Sequence, residues 1–450
     1  MGKLYRQWTP DQDYLLPQSP RDWLPAEHLV YFVLDLVGEL DLSAIDAAYQ
    51  AKDPRGTQAY DPRLMTALWL YALCQGIYSS RRIERATHED VAFRVLAADA
   101  HPDHSRISEF RRVHHEALAG LFCQVLRLCQ AAGLVKLGQV ALDGTKLAAN
   151  ASKHKAMSYE RMSRTEAELA AEIEALLARA ESADQAEDER LGVGVREVDV
   201  PAELARREAR LARIRQAKAA LEAEAQAARE AEREEAERAT EGEPEPEQEA
   251  PLPAHRVPHD DAGQPTAKAQ RNFTDPDSRI QKRDKTYLQG YNGQAAVAGE
   301  QQVIVAQALT NQAPDVQHLV PLTQQIERNV GQRPERLLAD SGYWSAGNAG
   351  WLAEAGIDGY VATGHQPQEP DPATSGTPAG VARGEMRAKL TSPEGHAVYA
   401  RRKCIVEPVF GQLREARGFK RLARRGIEQA RSEWALLCTV HNLLKLFRAR

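Results

Sequence analysis

Apolar residues recur at helical spacing through the first third of the chain, and from about Pro25 to Leu134 the pattern is mostly helical. LMTALWLYALCQG, beginning at Leu64 just after Asp61-Pro62, predicts a strongly apolar core helix. SSRRIERATHEDVAFRVLA, from Ser79, predicts a helix with Ser80 as its cap and arginines on the outer face. HPDHSRISEFRRVHHEAL, from His101, repeats the device, with Arg111 and Arg112 beside apolar positions. Short basic helices joined by a Pro-Asp turn suit a helix-turn-helix-like unit. They suit an ordinary bundle with solvated arginines equally well.

The pattern then changes. LVKLGQVALDG, Leu134 to Gly144, predicts a strand leading to Asp143. Residues 164–240 are rich in Ala, Glu and Arg, a strong helix former with few large apolar side chains, hence a coiled hairpin or a solvated arm. EGEPEPEQEAPLPAHRVPHDDAGQP follows as a flexible linker, too polar and proline-rich to pack. Residues 160–268 therefore read as a charged helical insertion. Strand character returns in Gly290–Thr310 as a hairpin turning near Gly299-Glu300. A short strand ends at Asp340, SAGNAGWLAEAG predicts a helix, and IDGYVATG another strand. HAVYARRKCIVEPVFGQLREARGFKRLARRG runs from a strand into a basic helix, with Glu407 at or near its start. A last helix, about Glu428 to Phe447, buries Trp434, Leu437 and Leu444. The expected organisation is α/β: an all-helical N-terminal domain, 1–132, then a mixed-sheet domain, 133–450, interrupted once.

Charge sharpens this picture. The 450 residues sum to a formal -6, mildly unfavourable for a nucleic-acid partner. Residues 161–250, however, hold 25 Asp/Glu and 14 Lys/Arg, a net -11, so the remainder is at +5, with the final fifty residues at +9. A local positive field binds phosphates whatever the total. Nothing approaches roughly 18 continuous apolar residues, so no membrane-spanning helix is expected. MGKLYRQWTPDQDY has no apolar stretch and does not read as a leader. Five cysteines without a CxxC pair argue against a disulfide framework or a structural zinc site.

Three acids stand out by position. Asp143 and Asp340 end strands, and Glu407 sits at a helix start. Two-metal phosphoryl transfer gathers carboxylates from separate elements around Mg²⁺ or Mn²⁺ ions. Position alone leaves open that these are solvated carboxylates at element ends. Lys403, Glu407, Gly411 and Arg414 share one face if the helix is continuous, a condition that Pro408 weakens. Lys146, Asn150, Lys153, His154 and Lys155 follow Asp143 and suit either a DNA path or a solvated loop. The glycines of GYNGQAAV serve close backbone packing, since no G-x-G-x-x-G or Walker pattern is present.

Several segments carry a resemblance: ALDGTKLAANASKHK (141–155), NFTDPDSRI (272–280), GYNGQAAV (290–297), LLADSGYW (337–344) and YARRKCIVEPVFGQLREARGFKRLARRG (399–426). They resemble bacterial insertion-sequence transposases of the DDE type, in the IS1182-like branch of the IS4/IS5 group. YDPRLMTALWLYALCQGIYSSRRIE and PDHSRISEFRR look like the helical domain that precedes the catalytic domain in these proteins. The resemblance implies an RNase H-like catalytic core, a mixed sheet with flanking helices. Its DDE triad would fall on Asp143, Asp340 and Glu407, and hold Mg²⁺ (Mn²⁺ in its place). It also implies metal-dependent cleavage and transfer of DNA strands, without a covalent protein intermediate.

In the wider group the Glu is accompanied as Y-(2)-R-(3)-E-(6)-K. Counted from Glu407, the Arg position falls on Lys403 and the Lys position on Arg414, while Tyr399 and Arg402 stand out of register. Lys146, Lys153, Lys155, Lys403, Arg414, Arg417 and Lys420, with Arg111 and Arg112 of the helical domain, are the expected DNA contacts. The expected partners are the terminal inverted repeats of the element and target DNA, bound by a homodimer in the bacterial cytoplasm, at the nucleoid. Relatives commonly read GYNAQAAVD where this chain has Ala298 after Val297. A metal-dependent nuclease without strand transfer, or a catalytically impaired DNA-binding remnant, are the other readings.

Overall fold

The computed structural model describes residues 19, 22–51, 59–191, 200–241, 250–283, 286–364 and 377–450, with backbone alone for 179–191, 200–203 and 238–241. The N-terminal segment 1–18 and linker residues 242–249 lie outside the described residues. The helical part contains α1 (Leu29–Glu39), α2 (Ser43–Gln50), α3 (Pro62–Cys74), α4 (Ser80–Glu89), α5 (Val91–Leu96), α6 (His104–Val113) and α7 (His115–Ala131). Helix α3 starts where Asp61-Pro62 predicts, because the Asp61 carboxylate accepts from Arg63 N at 2.7 Å and Pro62 fits the first turn. The run from Ser79 is two helices rather than one. Asp90 ends α4 and caps α5, its Oδ1 accepting from Ala92 N at 2.8 Å. Ser79, not Ser80, occupies the cap position of α4.

The principal sheet is mixed. It contains β1 (Val140–Ala148), β4 (Arg279–Arg283), β5 (Thr286–Ala298), β6 (Ile304–Thr310), β7 (Arg336–Ala339) and β8 (Asp358–Val361), while β2 (Ala156–Ser158) and β3 (Gln270–Asn272) pair separately. Its order is β4-β5-β1-β7-β8, and β6 also pairs with β5. Strand β5 runs antiparallel to β1, β4 and β6, whereas β1, β7 and β8 are parallel. Close approach explains the β5 glycines. A β-carbon on Gly290 would lie 2.1 Å from Leu147 O, and one on Gly293 would lie 3.3 Å from the Trp434 ring. The hairpin turns at Gly299–Val303, as its sequence predicts. Ala298 pairs with Val140, three positions along β1 from Asp143, or roughly 10 Å at strand rise. The Ala298 departure therefore stands away from the acids.

Helices α10 (Leu319–Val330), α11 (Ala346–Glu354), α12 (Pro378–Thr391), α13 (Pro393–Gly411) and α14 (Ile427–Arg448) complete this part. The strand expected before Glu407 is absent. Instead α13 begins at Pro393, capped by Ser392 Oγ on Gly395 N at 3.0 Å, and carries Glu407 and Pro408 inside it. A proline within a helix has no N–H for the carbonyl four residues back. That carbonyl, Cys404 O, accepts instead from Gln302 Nε2 at 2.9 Å. The helix thus passes through Pro408 and ends in a π turn at Gln412–Ala416.

NFTDPDSRI has a structural task. Asp275 Oδ1 accepts from Gly426 N at 3.1 Å and Asp277 Oδ2 from Ile427 N at 2.9 Å, so both acids meet the positive N-terminal end of α14. Trp434 and Leu437 of α14 are buried and Leu444 is half-buried. Helix α14 packs against α7 and β6. One continuous hydrophobic core therefore joins the N-terminal helices to the sheet.

Helices α8 (Tyr159–Leu191) and α9 (Val200–Glu241) form an antiparallel pair between β2 and β3. Glu172 meets Arg207, Glu166 meets Arg215 and Lys218, and Tyr159 donates to Glu222. Small apolar clusters hold the pair, one around Met162, Leu169, Leu211 and Ile214. The linker is corrected from residue 250 onward: Val257 and Ala269 are buried against Leu221 and Ala225 of α9. Its polar residues are used locally, with Asp260 Oδ1 accepting from Ala262 N and Gln264 N. Among the described residues no helix is long and apolar enough to cross a membrane.

Candidate active site

Strands β1 and β7 are parallel neighbours, with Val140 opposite Leu337 and Ala141 opposite Leu338. Continued along both strands, this register puts Asp143 beside Asp340, where β7 ends. Asp143 Oδ1 accepts from Gly144 N at 2.8 Å and its Oδ2 from Arg402 Nη1 at 3.1 Å. Asp340 Oδ1 accepts from Gly342 N at 2.8 Å, which holds the turn at Ser341–Tyr343. Burial pushes the Asp143 carboxyl up to about 6; the Arg402 charge opposes the rise and the Asp340 charge adds to it. Two like charges on neighbouring strands are costly without a cation beside them. In this structure the guanidinium of Arg402 is that cation.

Arg402 comes from α13 together with half-buried Tyr399, one turn earlier; burial raises the pKa of the Tyr399 hydroxyl and the Arg402 charge opposes the rise. The buried stripe of this helix continues through Val406 and Val409 to Leu413 in the π turn. Lys403, Glu407 and Gly411 lie on the exposed face, with Arg414 half-exposed beyond. The pair at the acids is thus Tyr399 and Arg402, which counting from Glu407 places out of register. Glu407 is not gathered with Asp143 and Asp340. Among the described residues no three His, Cys, Asp or Glu side chains form a group able to hold a metal ion.

The expected DNA contacts separate into two sets. Lys153 and Lys155, in a short 3₁₀ turn after β1, are exposed, as are Lys403, Lys420 and Arg112. Arg112 bonds to Glu109 through two nitrogens at 2.9 and 2.6 Å. Lys146 is turned inward, its Nζ donating to Ala313 O at 2.7 Å and Asp315 Oδ1 at 3.1 Å. Arg111 and Arg417 are corrected, because both are committed to the interior. Arg111 is stacked 4.1 Å from the Trp69 ring centroid and lies 3.9 Å from Glu433; burial pulls its pKa down to about 10. Arg417 donates from Nε to Gln412 O at 3.2 Å and places Nη2 3.3 Å from His441 Nδ1.

Two further basic residues of 414–425, Arg421 and Arg425, a stretch whose sequence suits backbone contacts, stand near the exposed lysines. Residues 419–425 lie along the far end of β1, where Leu422 N donates to Ala148 O at 2.8 Å. Asn150 Nδ2 donates to Ala423 O at 2.8 Å, Arg421 Nε to Ala149 O at 2.9 Å and Arg425 Nε to Asn150 O at 3.1 Å. The +9 tail is thereby fastened next to Lys153 and Lys155.

Buried titratable groups give a pH signature. Burial lowers His441 to about 3 and both His318 and His255 to about 4. Between those values and 6.5 the unfolded chain binds three protons that the fold excludes, so acidification destabilises. Asp143 acts oppositely between 3.8 and about 6, because the folded state takes up its proton first. Near pH 5 these four groups leave a net uptake of two protons on unfolding, hence a loss of roughly 2–3 kcal/mol per pH unit lowered. Urea unfolding of metal-free protein from pH 6 to 4.5 should show that slope. Stability rising on acidification would refute the assignment of these groups.

Two family models match the chain. Residues 255–443 match the Transposase DDE domain, a stretch that contains Asp340 and Glu407. Residues 18–113 match the Transposase domain (DUF772), which covers the helices α1 to α6. No curated protein and no solved structure matches the chain. Asp143 lies between the two matched stretches and joins the site through the β1–β7 pairing. The two models occur in the order the resemblance expects and together cover more than half of the 450 residues: the chain belongs to the DDE transposases of insertion sequences.

Proposed function

We propose that the protein cleaves DNA at the ends of its element and transfers the freed 3′ ends into target DNA, with Asp143, Asp340 and Glu407 as the catalytic acids. The observation that carries this reading is the placement of Asp143 and Asp340 at adjacent strand positions, with a basic strip at the far end of β1. The strand order supports an RNase H-like core: with β6 at one side, the sheet reads β6-β5-β1-β7-β8, with only β5 antiparallel to its neighbours. The α8–α9 pair is then the insertion within it.

Two carboxylates without sulfur or imidazole beside them are the donor chemistry that suits Mg²⁺ or Mn²⁺. When bound, such an ion activates the attacking hydroxyl and offsets charge on the leaving oxygen. Asp143 and Asp340 would hold it, the first inside β1, which runs on past it to Ala148, and the second just after β7, on rigid elements that fix their separation. Glu407 stands five residues after Arg402, roughly 140° round the helix from the face that meets Asp143. In this reading Arg402 leaves Asp143 for a phosphate when DNA binds, and Glu407 joins the two acids in the DNA complex. Lys153, Lys155, Lys420, Arg421 and Arg425 position the backbone, with Lys403, Arg414 and Arg112 at its margins. Synapsis of two element ends calls for a homodimer acting on the cytoplasmic chromosome.

The test is strand joining. Labelled element-end DNA and a supercoiled target in Mg²⁺ should yield labelled joined products. Cut ends without joined product would favour a nuclease, and neither product a DNA-binding remnant.

A further inference from the structure

Asp315 stands at the start of a 3₁₀ turn, Val316–His318, in a polar loop after β6. Its side chain connects more of the site than either motif acid does. Oδ1 accepts from Asn292 Nδ2 at 2.7 Å, Gln294 Nε2 at 2.7 Å and Lys146 Nζ at 3.1 Å. These donors come from β1 and β5, the strands on which Asp143 is paired. Gln294 Oε1 in turn accepts from the hydroxyl of buried Tyr343, in the turn after Asp340. Asn348 Nδ2 fastens the two loops, donating to Val316 O and Tyr343 O at 2.7 Å each.

The second oxygen is aimed elsewhere. A β-carbon on Gly342 would lie 3.2 Å from Asp315 Oδ2 and 3.0 Å from Asp340 Oδ1. The two oxygens are therefore no more than about 6.2 Å apart, both lining the space left by the absence of a side chain at 342. Three donors on Oδ1, one of them a lysine, offset the charge of Asp315 and fix its orientation, while Oδ2 borders that space. A purely structural carboxylate would have no need to face a second carboxylate across such a gap.

We infer that Asp315 is a positioning residue of the active site, an outer-sphere hydrogen-bond acceptor toward a hydrated divalent cation held by Asp143 and Asp340. The inference rests on the metal-dependent reading above. Small divalent ions such as Mg²⁺ keep several waters, and groups that orient ligand shells in this way commonly contribute about 10–100-fold to affinity. Asp315→Asn is the informative change. Its amide oxygen can still accept from Lys146, Asn292 and Gln294, but its NH₂ group, in place of Oδ2, can only donate.

The experiment is Mn²⁺ binding to full-length protein, read by the electron paramagnetic resonance of free Mn²⁺. Wild type, Asp143→Asn, Asp315→Asn, Asp315→Glu and Gly342→Ala are compared, and DNA binding is measured without metal. Asp315→Asn should bind Mn²⁺ about 10–100-fold more weakly, with DNA binding unchanged and Asp315→Glu partly restored. Gly342→Ala leaves the Asp315 Oδ1 contacts in place and should weaken Mn²⁺ likewise, but it presses on Asp340 Oδ1 as well as on Asp315 Oδ2; Asp315→Glu, which displaces the carboxylate without touching Asp340, decides the matter if Asp315→Asn does not fold. If Asp143→Asn binds Mn²⁺ as wild type does, the reading of the metal site fails. If Asp143→Asn loses Mn²⁺ while Asp315→Asn or Gly342→Ala keeps it, the role of Asp315 alone fails.

Discussion

Asn substituted for Asp143 or Asp340 removes DNA cleavage, by about 10³-fold or more, while element-end binding persists. The expected size follows from losing transition-state charge stabilisation at a site where preorganised electrostatics dominates. Asp143→Asn keeps the shape and the contact with Gly144 N, so the fold has little reason to change. What goes is the negative charge that Arg402 now balances. Glu407→Gln should lose cleavage to a similar extent, even though Glu407 is exposed in this structure. Full cleavage by Glu407→Gln would mean that the third acid lies elsewhere. Gel-shift binding and single-turnover cleavage on the same end DNA measure both quantities.

The largest loss of stability is expected at Glu433→Ala. Glu433 is buried in α14, where its oxygens accept from Ala423 N at 3.0 and 3.1 Å and from Arg424 N at 3.1 Å. It also stands 3.9 Å from Arg111 Nη1, the buried guanidinium over Trp69. Arg424 Nη2 reaches Ser108 O at 2.7 Å, so the same network fastens the basic strip to α6. Alanine leaves Arg111 buried without its counter-charge and two backbone donors without an acceptor. Breaking one side of a buried pair costs about 3–5 kcal/mol. Denaturant unfolding should show a loss of that size. A change below about 1 kcal/mol would mean that Arg111 is compensated by the Trp69 ring alone.

Much of this was legible in the chain itself, for identifiable reasons. Asp143 and Asp340 follow short apolar runs that mark their strands; Asp340 follows the end of β7, whereas β1 runs on through Asp143 to Ala148, because β5 pairs with it along its whole length. The α3 start was readable because Asp61-Pro62 combines a cap with a proline that fits the first turn. Arg402 was missed because spacing was counted from Glu407, whereas the facing of α13 is set by which residues it buries, Val406 and Val409 among them. Asp315 gave no signal: it sits in a polar loop without periodicity, and its neighbours come from strands far away in sequence. Arg111 looked like a surface charge because nothing local announces Glu433, more than three hundred residues later. The linker misled by composition. Val257 is one apolar residue among prolines and acids, and α9 supplies the surface that buries it. The stretch before 132 is helical as its periodicity predicts, but the runs from Ser79 and His101 each divide in two, at Asp90 and His114, and those helices share their core with the sheet.

Strand transfer by the paired acids of β1 and β7 is separated from cleavage by a joining reaction on ends that are already cut. Pre-cleaved, labelled element-end DNA is incubated with a supercoiled target in Mg²⁺, using wild type and Asp340→Asn at matched end-binding occupancy. Labelled joined product is expected with wild type and none with Asp340→Asn. Equal joining by both proteins would contradict it.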